Sequence, residues 1–198
     1  MKHLPTEAIL DKMTTPEKAN LCDGEGSWHT HGVERLGIPG AMLTDGPHGL
    51  RKRTQINGEW TTVHATCMPT ASALAASWNR EVAALAANTI AKDAIAEGVA
   101  VVLGPGVNMK RSPLCGRNFE YFSEDPYFAG DFAAAYISAM QQNGVGSCIK
   151  HFAVNNQETR RFTVSADVAA RPLHETYLRA FEIAVQAAKP EAIMESYN

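Results

Sequence analysis

The sequence predicts an α/β fold, and within that class the N-terminal half of a (β/α)8 TIM-like barrel. Three observations lead there. Apolar segments ending near residues 45, 103, 152 and 197 alternate with helical stretches, which implies a mostly parallel sheet with crossover helices. Each apolar segment turns polar just past its carboxyl end, where barrels of this kind carry their sites. No glycine-rich phosphate turn is present, and Gly104-Pro105-Gly106 is too short for one; it also has proline where a donor N–H is required. Only about four βα units can be counted, against eight in a complete barrel of ~250 residues. The chain is therefore expected to be incomplete on its own, with an uncovered strand near 192–197 that another segment or polypeptide completes.

Taken in order, residues 4–21 read as a short helix with Ile9, Leu10 and Met13 on one face and a turn restarting at Thr15-Pro16-Glu17. A loop follows with Trp28, His29 and His31, so residues 1–40 form an N-terminal helix and loop and 41–198 the βα units. Ala41–Thr44 is the first strand, ended by the turn Asp45-Gly46-Pro47-His48-Gly49. Residues 52–66 are read as a polar loop with Trp60. Ala71–Ala96 is an alanine-rich helix with Asn79 as N-cap and Val82, Leu85, Ala86 and Ile90 on its inner face. Val99–Leu103 is a β-branched strand. Asp125-Pro126 caps a helix with Phe128, Phe132, Ala135, Tyr136, Ala139 and Met140 at helical spacing. The third strand is 147–151. A helix opening at Arg171-Pro172 is expected to bury Leu173, Tyr177, Phe181, Ala184 and Ala188, before a last short strand in 191–197.

Composition narrows the function. With 198 residues, 45% hydrophobic and 20% charged, the chain suits one ordinary soluble domain. A net charge of −3 gives no reason to expect nucleic acid or an anionic membrane as partner. No apolar run approaches ~20 residues, and Met1–Met13 lacks a signal-peptide core, so the expected compartment is the cytoplasm. Cys22, Cys67, Cys115 and Cys148 have no C-x-x-C spacing and are read as reduced, packed thiols. His29 and His31 lack a third ligand at metal spacing and are read as loop residues. No metal or cofactor is expected.

The stretch Gly146–Arg161 carries the densest chemistry: an apolar strand followed by Lys150, His151, Asn155, Asn156, Gln157, Glu158, Arg160 and Arg161. From the residues alone it is either a binding site at a strand end or a solvated loop. Lys150 there suits hydroxyl recognition or a Schiff-base chemistry. Asp45 suits a ligand contact or a plain turn before Gly-Pro, and Arg117 can instead pair with Glu124 at the surface. Trp28 and Trp60 are assigned to packing rather than to sugar stacking.

Four motifs favour the ligand-binding readings among these alternatives. Leu43–Arg51 (LTDGPHGLR), Gly116–Pro126 (GRNFEYFSEDP), Lys150–Glu158 (KHFAVNNQE) and Ile193–Asn198 (IMESYN) together resemble glycoside hydrolase family three, the β-glucosidase type. Single matches are modest, but four in the right order are specific, and no Lys-His-Phe-Pro-Gly-His loop of the β-N-acetylglucosaminidase branch is present. The resemblance implies a retaining hydrolase that removes β-linked sugars, with a β-linked glucoside or related sugar as its ligand. It assigns sugar binding to Asp45, Arg117, Lys150, His151, Arg161 and Tyr197, and orienting roles to Arg51 and Glu120. It leaves Arg160 facing solvent. It also implies non-proline cis bonds around Lys150-His151-Phe152. The family's nucleophile aspartate lies in a Ser-Asp-Trp motif, which this chain lacks, and its acid/base glutamate lies further on. Both are therefore expected from a downstream segment or second polypeptide, with the 198 residues inactive alone. The alternative is a non-catalytic sugar-binding or regulatory module derived from the hydrolase.

Overall fold

A computed structural model describes residues 6–198. These residues divide into a unit ending at Leu43 and a unit spanning Thr44–Asn198.

The first unit holds two short helices, α1 (Thr6–Leu10) and α2 (Thr15–Leu21), and a small ribbon of β1 (Gly24–Glu25) and β2 (His29–Thr30). The helix expected over 4–21 is thus two helices, and positions 4 and 5 lie outside the described residues. Thr14 is the reason for the break. Its hydroxyl accepts from the Glu17 N–H while the Glu17 carboxylate accepts from the Thr14 N–H. That capping box starts α2 anew, with Pro16 in its first turn.

The second unit is built on a four-stranded sheet in the order β3 (Leu43–Asp45), β6 (Val101–Leu103), β7 (Gly146–Phe152), β8 (Ala192–Glu195). Strands β6 and β7, and β7 and β8, pair in parallel. Helices α3 (Ala71–Ala76) and α4 (Arg80–Ala96) lie between β3 and β6 in sequence, α5 (Pro126–Gln142) between β6 and β7, and α6 (Ala170–Pro172) and α7 (Leu178–Ala188) between β7 and β8. The core gathers Val107, Met109, Phe122, Phe132, Ile137, Ile149, Phe181 and the alanines of the helix faces. The fold is α/β with a parallel sheet and crossover helices, and by itself an open part of a barrel. Strand β8 is an edge; its residues alternate half-buried and exposed, and Ile193 is exposed.

Several elements depart from the sequence reading. The supposed loop 52–66 contains a hairpin, β4 (Arg53–Ile56) and β5 (Glu59–Thr62). Its turn residues Asn57 and Gly58 both have positive φ, the conformation that Asn-Gly supplies in two-residue hairpins. The alanine-rich helix is broken at Trp78, also at positive φ, and Asn79 caps only its second part. Leu85 is exposed; the buried face is Ala83, Ala86, Ala87, Ile90, Ala91 and Ala94. Alanine occurs on every side of α4, so periodicity alone is weak, and the smallest face is the one that packs closely on α5. Residues Leu173–Tyr177 form a π-helical turn, and Leu173 and Tyr177 are only half-buried. Finally, Cys148 is buried, whereas Cys22 and Cys67 are exposed thiols rather than packed ones. Among the described residues no helix is long and apolar enough to cross a membrane.

Candidate functional site

Three connections bring the candidate residues together at the carboxyl ends of the strands. Asp45 ends β3, and Lys150 and His151 lie on the last turn of pleat in β7. Arg117 and Glu120 come from the long connection after β6, where Asn118–Glu120 form one 3-10 turn. That connection is laid along β7: the Lys150 N–H donates to the Pro105 carbonyl and the Val107 N–H to the Lys150 carbonyl. Gly106 lets residues 120 and 121 return against this segment, because a Cβ there would meet the Tyr121 ring at 2.9 Å and the Glu120 carbonyl at 3.0 Å. The Lys150–His151 and Phe152–Ala153 peptide bonds are cis, as is Gly104–Pro105. Residues 146–151 are buried without alternation.

Asp45, Arg117, Glu120 and Lys150 line one cavity of about 230 Å³ together with His48, Arg51 and Phe119. Their charges alternate along a continuous path. The Lys150 ammonium is 4.0 Å from Asp45 and 3.4 Å from Glu120. Glu120 also pairs with Arg117, which lies 4.0 Å from Glu158. Glu158 in turn holds Arg161 at 2.8 Å. Arg51 reaches the other oxygen of Asp45 at 3.8 Å, and its backbone N–H bonds the Asp45 carbonyl. Such an order keeps buried charges paired while leaving donors and one acceptor aimed at a shared space.

The electrostatics follow from this packing. Burial works against the Arg117 cation, but Glu120, Tyr121 and Glu158 outweigh it and hold its pKa above the ordinary value. Burial, then the Arg117, Lys150 and Arg161 cations, push the His151 pKa down to about 2, so its imidazole is neutral at any physiological pH. His48 is also lowered, first by burial and then by Lys150, with Glu120 opposing. Neither of its ring nitrogens has a hydrogen-bond partner among the described residues, and its ring meets Phe119 edge-on at 5.7 Å.

Not every candidate enters that cavity. Arg161 lines a neighbouring hollow of about 570 Å³ with Asn155, Asn156, Glu158 and Asn198. Tyr197 lines neither and is 60% exposed. Its ring lies 4.7 Å from Phe162, and the Arg161 guanidinium sits over both rings at 4.8 and 5.1 Å. His151 is buried and lines neither cavity. Arg160 is exposed, and Glu124, offered as a surface partner for Arg117, is replaced in that role by Glu120 and Glu158.

Two supporting residues, Asn108 and Tyr121, escaped the sequence reading, and two more, Asn155 and Glu158, were named in the polar stretch without a role. Asn108 clamps the backbone of His151, accepting from its N–H at 2.8 Å and donating to its carbonyl at 2.9 Å. Tyr121 and Asn155 lead from Glu158 to the His151 ring, and Glu158 stands between two arginines. For Asn108 a faint signal existed: a lone amide between Val107 and Met109, in a stretch that turns out to be buried. The others are ordinary polar residues of their motifs.

A parallel sheet with crossover helices and a charged cavity of about 230 Å³ at its strand ends defines part of a (β/α)-barrel domain with a polar-ligand site. Residues 25–198 match the glycosyl hydrolase family 3 N terminal domain, and the chain belongs to that family. It is 53% identical over 193 residues to thermostable beta-glucosidase B of Acetivibrio thermocellus, covering 96% of this chain and 26% of that protein. It is 50% identical to the exo-alpha-(1->6)-L-arabinopyranosidase of Bifidobacterium longum, over 98% of this chain and 26% of that one. Beta-glucosidase 3B from Thermotoga neapolitana in complex with glucose superposes with a TM-score of 0.91 at 41% identity, covering 97% of this chain and 29% of that chain. The beta-glucosidase from Kluyveromyces marxianus in complex with glucose gives 0.93 at 39%, covering 99% and 23%. The chain thus spans about a quarter of the length of the relatives it matches.

Proposed function

We propose that these residues form the sugar-binding half of a retaining β-glycosidase acting on terminal, non-reducing β-D-glycosyl residues. The observation that carries this is the convergence of Asp45, Arg117 and Lys150 on one cavity of about 230 Å³. An ionised carboxylate accepts from two adjacent hydroxyls while lysine and arginine donate, the pattern a sugar's ring of hydroxyls requires. His151, Arg161 and Tyr197 lie outside that cavity's lining, and their part in sugar binding is carried by their motifs. The glucose complexes of the Thermotoga and Kluyveromyces enzymes support glucose as the first sugar to test. The arabinopyranosidase relatives at nearly the same identity mean that identity alone does not select the sugar.

Retaining chemistry needs a nucleophile and an acid/base carboxyl ~5–5.5 Å apart. The cavity's own carboxylates are committed to cations: Asp45 to Arg51 and Lys150, Glu120 to Arg117 and Lys150. Glu158 is held by Arg161. They suit holding a ligand, and the reacting pair belongs to a downstream segment or a second polypeptide. This chain's part is to orient the sugar, which contributes to rate through positioning. The test compares the protein at its natural length with the isolated 198 residues on an aryl β-glucoside. Turnover is expected only in the former, and Asp45→Asn is expected to weaken glucose binding about 10- to 100-fold, the value of a charged hydrogen bond. Turnover by the 198 residues alone would overturn the division of labour. Binding without turnover at natural length would favour a non-catalytic module.

A further inference from the structure

The hydrogen bonds around His151 determine which of its nitrogens carries the proton. Glu158 is clasped by Arg161 at 2.8 Å and approached by Arg117 at 4.0 Å, and a carboxylate so paired only accepts. The Asn155 side-chain atom facing it at 3.3 Å is therefore the amide nitrogen, which fixes an orientation that heavy-atom positions alone leave open. That same nitrogen lies 2.9 Å from the Tyr121 hydroxyl, so the phenol oxygen receives a hydrogen there. A phenol has a single proton to give. Buried as it is, that proton needs an acceptor, and the other hydrogen-bond neighbour of the hydroxyl among the described residues is His151 Nδ1, at 3.2 Å. Nδ1 then supplies a lone pair, and the ring's proton resides on Nε2.

We propose that Asn155 and Tyr121 are positioning residues, oriented by Glu158, that hold His151 as the Nε2–H tautomer so that it serves the site as a hydrogen-bond donor. The inference deepens the sugar-binding reading and rests on it only for what the donor meets, a hydroxyl oxygen of the ligand. Burial and the surrounding cations, which keep the imidazole neutral, make the tautomer a real choice, because a doubly protonated ring would have none. Asn108 fixes the His151 backbone independently, so the ring can be re-protonated by substitution without releasing the main chain. Within the cavity Lys150 and Arg117 then donate and Asp45 accepts, and His151, outside its lining, adds one donor through Nε2.

The experiment is nitrogen-15 NMR of the protein at natural length, labelled at histidine, with the His151 signals identified by their loss in His151→Gln. The wild type is expected to show a protonated Nε2 and a bare Nδ1. Asn155→Asp turns the donor facing Tyr121 into an acceptor; the phenol proton is drawn to it and His151 is expected to switch to the Nδ1–H form. Glucose affinity should then fall about tenfold, the value of one neutral hydrogen bond. Tyr121→Phe is expected to give a mixture of tautomers. Neutron diffraction of the wild type reads the same proton directly if His151→Gln fails to fold. A proton on Nδ1 in the wild type, or Nε2–H unchanged in Asn155→Asp, overturns the relay. Nε2–H in the wild type, with the expected switch but no glucose binding, sustains the relay and removes the sugar reading instead.

Discussion

The Lys150 ammonium lies 3.4 Å from Oε2 of Glu120, and both side chains are almost wholly buried, 3% and 4% exposed. Thirty positions separate them in the chain, yet each neutralises the other where water does not reach. Removing one partner of such a pair leaves a desolvated charge, at a cost of about 3–5 kcal/mol, whereas removing both costs far less. Glu120→Gln and Lys150→Met are each expected to lose about that much in urea unfolding. Lys150→Met with Glu120→Gln should lose clearly less than their sum. Strictly additive losses would mean that the two charges are stabilised separately, by Asp45 and Arg117.

Asn108 offers a sharper structural test. Its amide satisfies both polar groups of His151's main chain in a buried site. Asn108→Ala orphans a buried N–H and a buried carbonyl, each costing about 1–3 kcal/mol. Asn108→Asp keeps the acceptor for the N–H but sets a carboxylate oxygen against the carbonyl in a buried site, so it should cost at least as much as alanine. Equilibrium unfolding of the three proteins checks the order. An alanine variant as stable as the wild type would mean that water replaces both bonds.

How much of this was legible beforehand differs between fold and site. The strand ends near 45, 103 and 152 were visible because buried parallel strands are short apolar runs followed by polar loops; the last was placed near 197, against the observed Glu195. The hairpin 53–62 was not, since its residues are mostly exposed and give no apolar alternation; only Asn57-Gly58 announced it. Leu85 misled because a helix rich in alanine has several equally plausible inner faces. In the site, Asp45, Arg117 and Lys150 stood out through their motifs. Glu120 was read as orienting Arg117, three residues away, but the longer links were not read: Glu120 to Lys150 and Arg117 to Glu158 depend on loops folding back over tens of residues. Periodicity is blind to such pairings.

Gly130 marks where α5 crosses α7. A Cβ there would sit 2.8 Å from the Cβ of Ile183 and 2.9 Å from the Ala180 carbonyl. Alanine gains up to about 1 kcal/mol of helix propensity over glycine, but neither obstructing atom is the free end of a flexible side chain. Overpacking typically costs about 1–3 kcal/mol, so the clash is expected to win. Gly130→Ala should lower the unfolding midpoint, and Gly130→Ala with Ile183→Val should not restore it, because valine keeps the Cβ. A stabilised Gly130→Ala would show that the two helices separate freely.

In the N-terminal unit the informative group is Glu17. Arg35 donates to it through two nitrogens, at 2.7 and 2.5 Å, and the Thr14 N–H adds a third bond at 2.8 Å. The Arg35 bonds first, then that of Thr14, lower its pKa from 4.5 to about 2. The sign follows from linkage: a carboxyl depressed in the folded state stabilises it fully above the unfolded value of 4.5. That stabilisation fades as pH falls toward 2 and is absent below. The pair is exposed to solvent and salt, so the effect should shrink as ionic strength rises. Glu17→Gln removes the titrating group, and its stability curve between pH 5 and 2 should lose the slope that the wild type owes to this residue. The direct measurement is the carbon-13 shift of the Glu17 carboxyl against pH. A midpoint near 4.5 would mean that the Arg35 contact and the capping box do not persist together in solution.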